Sequence, residues 1–290
     1  MPNLSQVKRQ INTLSKMKSV VSSLKTMSAA AGAKFVKAAL SADEFAANLE
    51  LAMRAVFKAE PRIVAAAPDS VIKKVVLIGS DIGLVGKLNK GVVHHFEAMG
   101  SRVAGAEVII CGRALRARYH QQFKQFMEMP KSVGRLAAVA EEIMLALEVA
   151  KLAESGGSIV IVHNVRSGGR IHVMEKKIFP IDDVKLNSIR SVPWADKAIP
   201  DVGANASETM AKIMAQYAYS RLFRALCLSL EAEHISRAQA MSRAGDNIDA
   251  RLHDKKIEYA LRSQEETTLE LIDSFSGFKI VSRQDVSIVY

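Results

Sequence analysis

The sequence predicts a fold of the class α/β plus coiled coil, in which an α/β domain is inserted between two long helices that pair in antiparallel fashion. Three observations support this fold. The first 60 residues and the last 90 carry apolar residues at helical spacing, and every proline except Pro2 lies at or between Pro61 and Pro200. Between those two prolines, short β-branched runs alternate with helical patterns, as in α/β domains.

Residues 1–60 are predicted to form the N-terminal coiled-coil helix, from about Asn3 to Ala59. A helix of that extent would be roughly 85 Å long and could not bury itself without a partner. Its apolar residues recur every three or four positions and predict a coiled-coil seam with one heptad interruption at Met17. The seam consists of Leu4, Val7, Ile11, Leu14, Met17, Val21 and Leu24.

Residues 62–200 have the pattern of a Rossmann-like α/β domain with a largely parallel sheet. Four apolar runs predict strands, at Val71–Ser80, Ala106–Gly112, Ser158–Val165 and Arg170–Ile181. Three segments predict helices, at Asn89–Met99, Leu115–Met127 and Leu136–Ala153. The stretch Asp182–Gly203 is polar and contains prolines, so we expect a connector.

Residues 205–277 are predicted to form the C-terminal coiled-coil helix, from about Ser207 to a C-cap at Ser276-Gly277. It would be roughly 105 Å long. Its small and apolar positions again recur at helical spacing, at Ala238, Met241, Gly245, Ile248, Leu252 and Tyr259. Residues 278–290 form a C-terminal extension, and the apolar alternation toward Val289 and Tyr290 predicts an added contact with a partner.

The segment GSDIGLVGKLNK, Gly79–Lys90, follows the first predicted strand and is rich in glycine. Such a turn can bind phosphate on backbone N–H groups. The Walker pattern fails, however, because Asp81 occupies the first glycine position and Leu88 the position of the magnesium-binding hydroxyl. The GxGxxG spacing is also missing. We therefore predict a structural turn, built on Asp81, Gly83, Gly86 and Asn89.

No catalytic, metal-binding or cofactor-binding constellation is recognisable in the sequence. The adjacent acidic pairs do not converge on one face, the seven histidines are scattered, and no GxSxG elbow occurs. Cys111 and Cys227 stand in apolar contexts and predict buried, reduced thiols. No apolar run is long enough to span a membrane, and no secretory signal is recognisable, so we expect a cytoplasmic protein. A mechanical or adhesive role follows.

The net charge of +10 predicts an acidic partner. We expect partner contacts through basic and polar residues of both long helices: Lys8, Arg9, Lys16, Lys18, Lys25, Arg251, Arg262, Gln264 and Glu265. An acidic protein surface fits better than nucleic acid, because interleaved aromatic residues are missing and the apolar stripe is nearly complete. A basic coiled-coil nucleic-acid-binding protein remains the alternative, and a nucleotide-using enzyme built on residues 62–200 is a third possibility.

Three segments resemble the gamma subunit of F-type (rotary) ATP synthases, as a divergent member. Lys25–Ala31 (KTMSAAA) is similar to that family's KMVAAAK, Ser80–Asn89 (SDIGLVGKLN) to SDRGLCGGLN, and Glu258–Gly277 to YNRARQAAITKELIEIVSG. The departures are Ile82, Val85 and Lys87 in the turn, and Ala260, Leu261 and Ser263 in the second helix.

The resemblance implies a central-stalk rotor shaft that has no catalytic residues or cofactor of its own. It implies as partners a surrounding ring of alpha and beta subunits, the epsilon subunit and the membrane rotor ring. It further implies a peripheral position on the cytoplasmic face of the inner (plasma) membrane, and coupling of ion transport to ATP synthesis or hydrolysis by rotation.

Overall fold

The structure is a computed structural model that describes residues 3–63, 71–149, 152, 156–194, 198, 200–203 and 205–286, with side chains up to residue 276. Its contacts divide the chain into two compact units. Unit 1 consists of residues 1–26 and 241–290, and unit 2 of residues 27–240. Each long helix therefore contributes to both units. The functional division into residues 1–60, 62–200, 205–277 and 278–290 stays a prediction.

The two long helices are α1, Leu4–Ala59, and α6, Ala206–Val286. The predicted extent of α1 is confirmed almost to the residue. The predicted end of α6 at Gly277 is wrong, because the helix continues to Val286. A single glycine costs a helix only about 1 kcal/mol, and no proline follows it to stop the helix. The predicted contacts of Val289 and Tyr290 lie outside the described residues.

Unit 2 contains a five-stranded sheet in the order β3-β2-β1-β4-β5. The strands are β1 Val71–Ile78, β2 Glu107–Cys111, β3 Gln125–Met127, β4 Gly157–Ser167 and β5 Arg170–Phe179. All neighbouring pairs are parallel except β4 and β5, which form an antiparallel hairpin. The four predicted strands and the mostly parallel sheet are therefore confirmed.

Four shorter helices of unit 2 lie wholly within the described residues: α2 Leu88–Ala98, α3 Arg113–Arg116, α4 Val133–Leu147 and α5 Asp183–Ser191. A 3₁₀ turn, Gly100–Val103, follows α2. The prediction for α2 is confirmed to within one residue. That for α4 is confirmed as a helix, but it begins at Val133, three residues before the predicted Leu136, and stops before the predicted Ala153. There Glu148 adopts a left-handed conformation with φ 47°, which stops the helix at Leu147.

Two predictions for unit 2 are wrong. The segment Leu115–Met127 is not one helix, because its last residues form β3, the edge strand paired to β2. The prediction was based on the helical spacing of its apolar residues. Pairing with β2 decides the structure of the last residues instead, because strand formation depends on tertiary context. The segment Asp182–Gly203 is not only a connector, because α5 begins directly after Asp182 and buries Leu186 and Ile189.

The core of unit 2 lies on both faces of the sheet. On one face Val76 and Ile78 share a cluster with Leu136 of α4, Met53 of α1 and Leu222 of α6. On the other face, alternate residues of β1 pack against α2. Each of these fully buried side chains stabilises the fold by roughly 1.5–3 kcal/mol. The long helices are thus structural parts of the α/β domain within unit 2.

Within unit 2 the two long helices are antiparallel. Ser220 Oγ donates to the carbonyl oxygen of Ala42 at 2.8 Å, and Arg224 Nε lies 2.7 Å from the Asp43 carboxylate. Further along, the rings of Phe35 and His234 stack with centroids 5.5 Å apart. Residue numbers thus fall on α6 as they rise on α1.

Candidate functional site

In unit 1, the N-terminal part of α1 pairs with α6 in antiparallel fashion. Lys25 Nζ donates to Ser242 Oγ at 3.1 Å, and Lys18 Nζ lies 2.7 Å from Asp249 Oδ1. As residue numbers fall from 25 to 18 on α1, they rise from 242 to 249 on α6. The predicted antiparallel helical pair formed by the two ends of the chain is therefore confirmed.

The predicted interruption of the heptad at Met17 is wrong. Met17 is 52% exposed and Leu24 is 37% exposed, whereas the similarly exposed Lys18 and Lys25 contact Asp249 and Ser242 of α6 through their ammonium groups. The regular spacing of four and three residues continues instead through two lysines, whose stems can lie along apolar surface while their ammonium groups reach polar partners. The seam positions of α1 in unit 1 are Val7, Ile11, Leu14, Lys18, Val21 and Lys25.

The facing seam on α6 contains a lysine as well. The predicted positions Met241, Gly245, Ile248, Leu252 and Tyr259 are all buried or half-buried, and Lys255 fills the gap before Tyr259. A side chain added at Gly245 would lie 3.9 Å from Val21 of α1, in ordinary contact. A search for apolar residues alone could not find the seam lysines, whereas strict heptad counting from Val7 would have found two of them.

The five predicted basic contact residues of α1 fall into two groups. Lys8, Arg9 and Lys16 are exposed, and they form no ion pair among the residues that the structure describes. Lys18 and Lys25 are also largely exposed, but their ammonium groups contact Asp249 and Ser242 of α6. Only the first group is therefore fully available to a partner.

A groove of about 560 Å³ brings together two predicted residues from different helices, Arg9 of α1 and Arg251 of α6. Lys255 and Asp254 also line it, so its charge is positive. Such a groove can attract acidic side chains through weak, exchangeable ion pairs. The groove thus places Arg9 and Arg251 on one surface, and their contact with a partner stays a prediction.

Arg262 is held within its own helix. Its guanidinium lies 3.1 Å from Glu258, and Lys255 donates to the same carboxylate at 2.7 Å. The hydrogen bond from Lys255, with the nearby charge of Arg262, lowers the pKa of Glu258 below its ordinary value. The sequence analysis did not single out Glu258 or Lys255, although their spacing of three and four residues from each other and from Arg262 was a signal.

Beyond Ser263 the described part of α6 is exposed at every position up to residue 276. Gln264 and Glu265 lie here, together with large apolar side chains that the sequence analysis did not select. These are Leu269, Leu271, Ile272 and Phe275, each more than half exposed. Of the departures from the resembled family, Ala260 and Leu261 are exposed and Ser263 is half-buried.

The glycine-rich turn between β1 and α2 is held by two polar side chains. Asn89 is buried, accepts a hydrogen bond from Ser80 N at 2.9 Å and donates to Ser80 Oγ at 2.8 Å. Asp81 Oδ1 accepts from the backbone N–H groups of Arg113 and Met129, at 2.9 and 3.0 Å. These bonds join the turn to the segments that follow β2 and β3.

The two predicted glycines of the turn differ in whether the backbone requires glycine there. Gly86 has φ +58°, a conformation that favours glycine, whereas a side chain at Gly83 would meet open space. Among the departures from the resembled family, Val85 is buried, and Ile82 and Lys87 are exposed.

Features of enzyme sites are scarce in the part of the chain that the structure describes. It contains no group of three or more side chains that could hold a metal ion. Cys111 and Cys227 are free and buried, as predicted, and burial raises the pKa of each thiol to about 12. No helix among these residues is long and apolar enough to cross a membrane.

Comparison with known proteins matches nearly the whole chain. A family model described as ATP synthase matches residues 3–281. An ATP synthase gamma chain of Paramagnetospirillum magneticum is 24% identical, over 96% of this chain and 99% of its own length. The F1/c-ring structure of the Euglena gracilis mitochondrial ATP synthase contains a chain with a TM-score of 0.60 at 14% identity, over 96% of this chain and 94% of that chain.

A central-stalk structure of the Tetrahymena thermophila mitochondrial ATP synthase contains a chain with a TM-score of 0.54 at 16% identity, over 78% of this chain and 99% of that chain. At such identities these two likenesses show the fold alone.

Proposed function

We propose a function from one premise: the chain belongs to the ATP synthase family. It acts as the gamma subunit, the central-stalk rotor shaft of a rotary F-type ATP synthase. The observation that carries this function is the antiparallel pairing of the two chain ends in unit 1, fixed by the Lys18–Asp249 and Lys25–Ser242 contacts. A shaft made of two paired helices can rotate inside a ring of surrounding subunits.

The contribution of such a shaft is conformational, and the chain supplies no catalytic residue. An asymmetric surface that rotates within a ring of alpha and beta subunits makes different contacts with each subunit in turn. Because those contacts differ between the open and closed states of each nucleotide site, rotation shifts their equilibrium. The epsilon subunit and the membrane rotor ring complete the rotor, which couples ion flow to ATP synthesis or hydrolysis at the cytoplasmic face of the inner (plasma) membrane.

The charges of unit 1 suit a surface that turns against its partners. Lys8, Arg9, Lys16 and Arg251 are exposed. Exposed ion pairs contribute only about 0–1 kcal/mol and are screened over about 10 Å. During rotation one such pair can therefore break and another form at little cost in free energy. We therefore expect these four residues to contact acidic loops of the ring.

The exposed apolar side chains of α6 beyond Ser263 can contact an apolar surface of subunits that surround the helix. At about 100° per residue, Leu269, Leu271, Ile272 and Phe275 spread over nearly half of the helix surface. A coiled-coil partner would need only a narrow stripe. An arc of this width, with Glu270 and Asp273 outside it on the rest of the helix surface, fits a collar of several subunits.

Coexpression with the alpha and beta subunits of the same organism tests this function. We expect a complex that contains the chain and hydrolyses ATP. In the complete complex, with its membrane rotor ring, the triple variant Lys8→Glu, Arg9→Glu and Lys16→Glu should couple less well, measured as ATP-driven ion pumping for each ATP hydrolysed. The control Lys90→Glu with Lys176→Glu reverses two exposed lysines of unit 2, to be compared with each pair drawn from the triple variant. Recovery of the chain as a free monomer beside an active ring would contradict the proposal.

The nucleic-acid alternative rests on net charge alone, and the comparisons give it no support. A salt titration against DNA separates the two functions. Binding through many phosphates would produce a steep fall in affinity with salt concentration. We expect weak binding.

A further inference from the structure

Unit 2 contains a cavity of about 600 Å³ bounded by the β4–β5 hairpin, the beginning of α2 and α6. Its size lies in the range of small-molecule sites. Its polar lining carries hydrogen-bond donors: Lys87, Asn164, Arg170, His172, Ser236 and Gln239. Apolar walls are formed by Val85, Leu88, Ile171 and Val173.

The side chain of Asn164 is the first sign that this cavity takes a ligand. Asn164 is 2% exposed, and its Nδ2 has no hydrogen-bond partner among the described residues. A buried amide donor without an acceptor is unfavourable, and proteins rarely leave one. An acceptor group inside the cavity would satisfy it.

The charge around the cavity is the second, independent sign. Lys87 and Arg170 form no ion pair with any described residue, and no carboxylate lines the cavity. Two other cations of unit 2 are compensated: Arg102 contacts Glu175, and Lys124 lies 2.8 Å from Glu107. The cavity thus keeps an uncompensated positive charge, to which the amino end of α2 adds its dipole.

We propose that this cavity binds a small phosphate-bearing molecule. Lys87 and Arg170 bind the phosphate oxygens, Asn164 Nδ2 donates to one of them, and the apolar walls hold the organic part. Lys87 stands where the resembled family has glycine, so the site is a property of this chain. It does not depend on the proposed rotor function.

Calorimetric titration of the full chain with inorganic phosphate and with AMP tests the site. We expect saturable binding of AMP with a dissociation constant below about 1 mM, and weaker binding of phosphate, which lacks the organic part. The double variant Lys87→Ala with Arg170→Ala should bind AMP at least about tenfold more weakly. The control Lys90→Ala with Lys176→Ala removes the same charge outside the cavity and should bind normally.

The variant Asn164→Leu isolates the buried amide. Removal of an unpaired donor should leave the melting temperature unchanged or raise it, whereas AMP affinity should fall several-fold. Equal losses in the cavity and control variants would reduce the effect to general electrostatics and overturn the site.

The absence of saturable binding to the folded chain would also overturn the proposal. An acidic side chain of a neighbouring subunit is the rival occupant. It would appear as weaker copurification of the Lys87→Ala and Arg170→Ala variant with its partners, without AMP binding to the free chain.

Discussion

The same two helices pair in antiparallel fashion in both units, but their seams are filled differently. In unit 2 the seam of α1 is apolar and buried, with Phe35, Ala39, Ala46 and Met53 in one cluster with the sheet. In unit 1 the seam carries lysines at positions 18, 25 and 255. In unit 2 the two helices also pack against the sheet and belong to a domain core. In unit 1, within the described residues, they pack only against each other.

This difference indicates what fixes the register of each pair, that is, which residues of α1 lie opposite which residues of α6. In unit 2 the sheet and the shorter helices fix the long helices in place, so the seam can be optimised for burial. A bare apolar pair can slide by a heptad, and a polar residue in the seam specifies the register at a cost in stability. We expect Lys18 with Asp249, and Lys25 with Ser242, to supply that specification in unit 1.

Truncation of a seam residue in each unit should give the largest contrast. Met53 is fully buried in unit 2, so Met53→Ala should lower the free energy of unfolding by about 2–5 kcal/mol. Leu14 is only half-buried in unit 1, and Leu14→Ala should cost roughly 1 kcal/mol. Chemical denaturation followed by native-state hydrogen exchange measures both values, and equal losses would erase the contrast.

The pH dependence of stability should also differ between the units. Burial lowers the pKa of His163 in unit 2 to about 4, against an ordinary value of 6.5. The unfolded chain therefore binds a proton that the folded chain does not, and stability present above pH 6.5 is lost as the pH falls toward 4. This loss is about 3 kcal/mol for one histidine.

His163→Leu should flatten the profile of unfolding free energy against pH over that range. The exposed His253 of unit 1 is the matched control, and His253→Leu should leave the slope unchanged. An unaltered slope in His163→Leu would mean that another group carries the dependence.

The smallest effect concerns the seam lysines. Lys18→Leu with Lys25→Leu should stabilise unit 1 by about 1 kcal/mol, because exposed polar pairs contribute little and leucine buries apolar surface. At the same time α1 and α6 should be able to pair in more than one alignment within unit 1. Protection factors of amides in residues 3–26 measure the first effect, with Lys16→Leu as the exposed control.

Cysteines at Val21 and Gly245, which face each other, report the register. They should form one disulfide in the parent chain and a mixture of oxidation products in the leucine variant. A single disulfide in both would mean that the lysines do not set the register. The native thiols do not interfere, because both are buried.

Most of the fold could be predicted from the sequence because its main elements are long and regular. The bounds of α1 and the strands of the sheet followed from periodicity and from β-branched runs. The short β3 and the start of α5 could not be predicted, because three residues at a sheet edge and nine residues in a polar stretch carry little local signal. Their structure is decided by β2 and by the burial of Leu186 and Ile189.

The candidate site was less predictable than the fold. Composition located the exposed cations of α1, but it could not say that Lys18 and Lys25 contact α6 while Lys8, Arg9 and Lys16 do not. That distinction depends on the rotation of the helix about its axis. The charge-based selection also passed over Leu269 and Phe275, because an exposed apolar residue is visible only in the structure.

The exposed apolar arc of α6 has a consequence for how the cell must make this chain. A newly synthesised copy without its neighbours exposes this apolar surface to solvent, which favours aggregation. We therefore expect its supply to be matched to that of its neighbours, and surplus copies to be cleared by proteolysis.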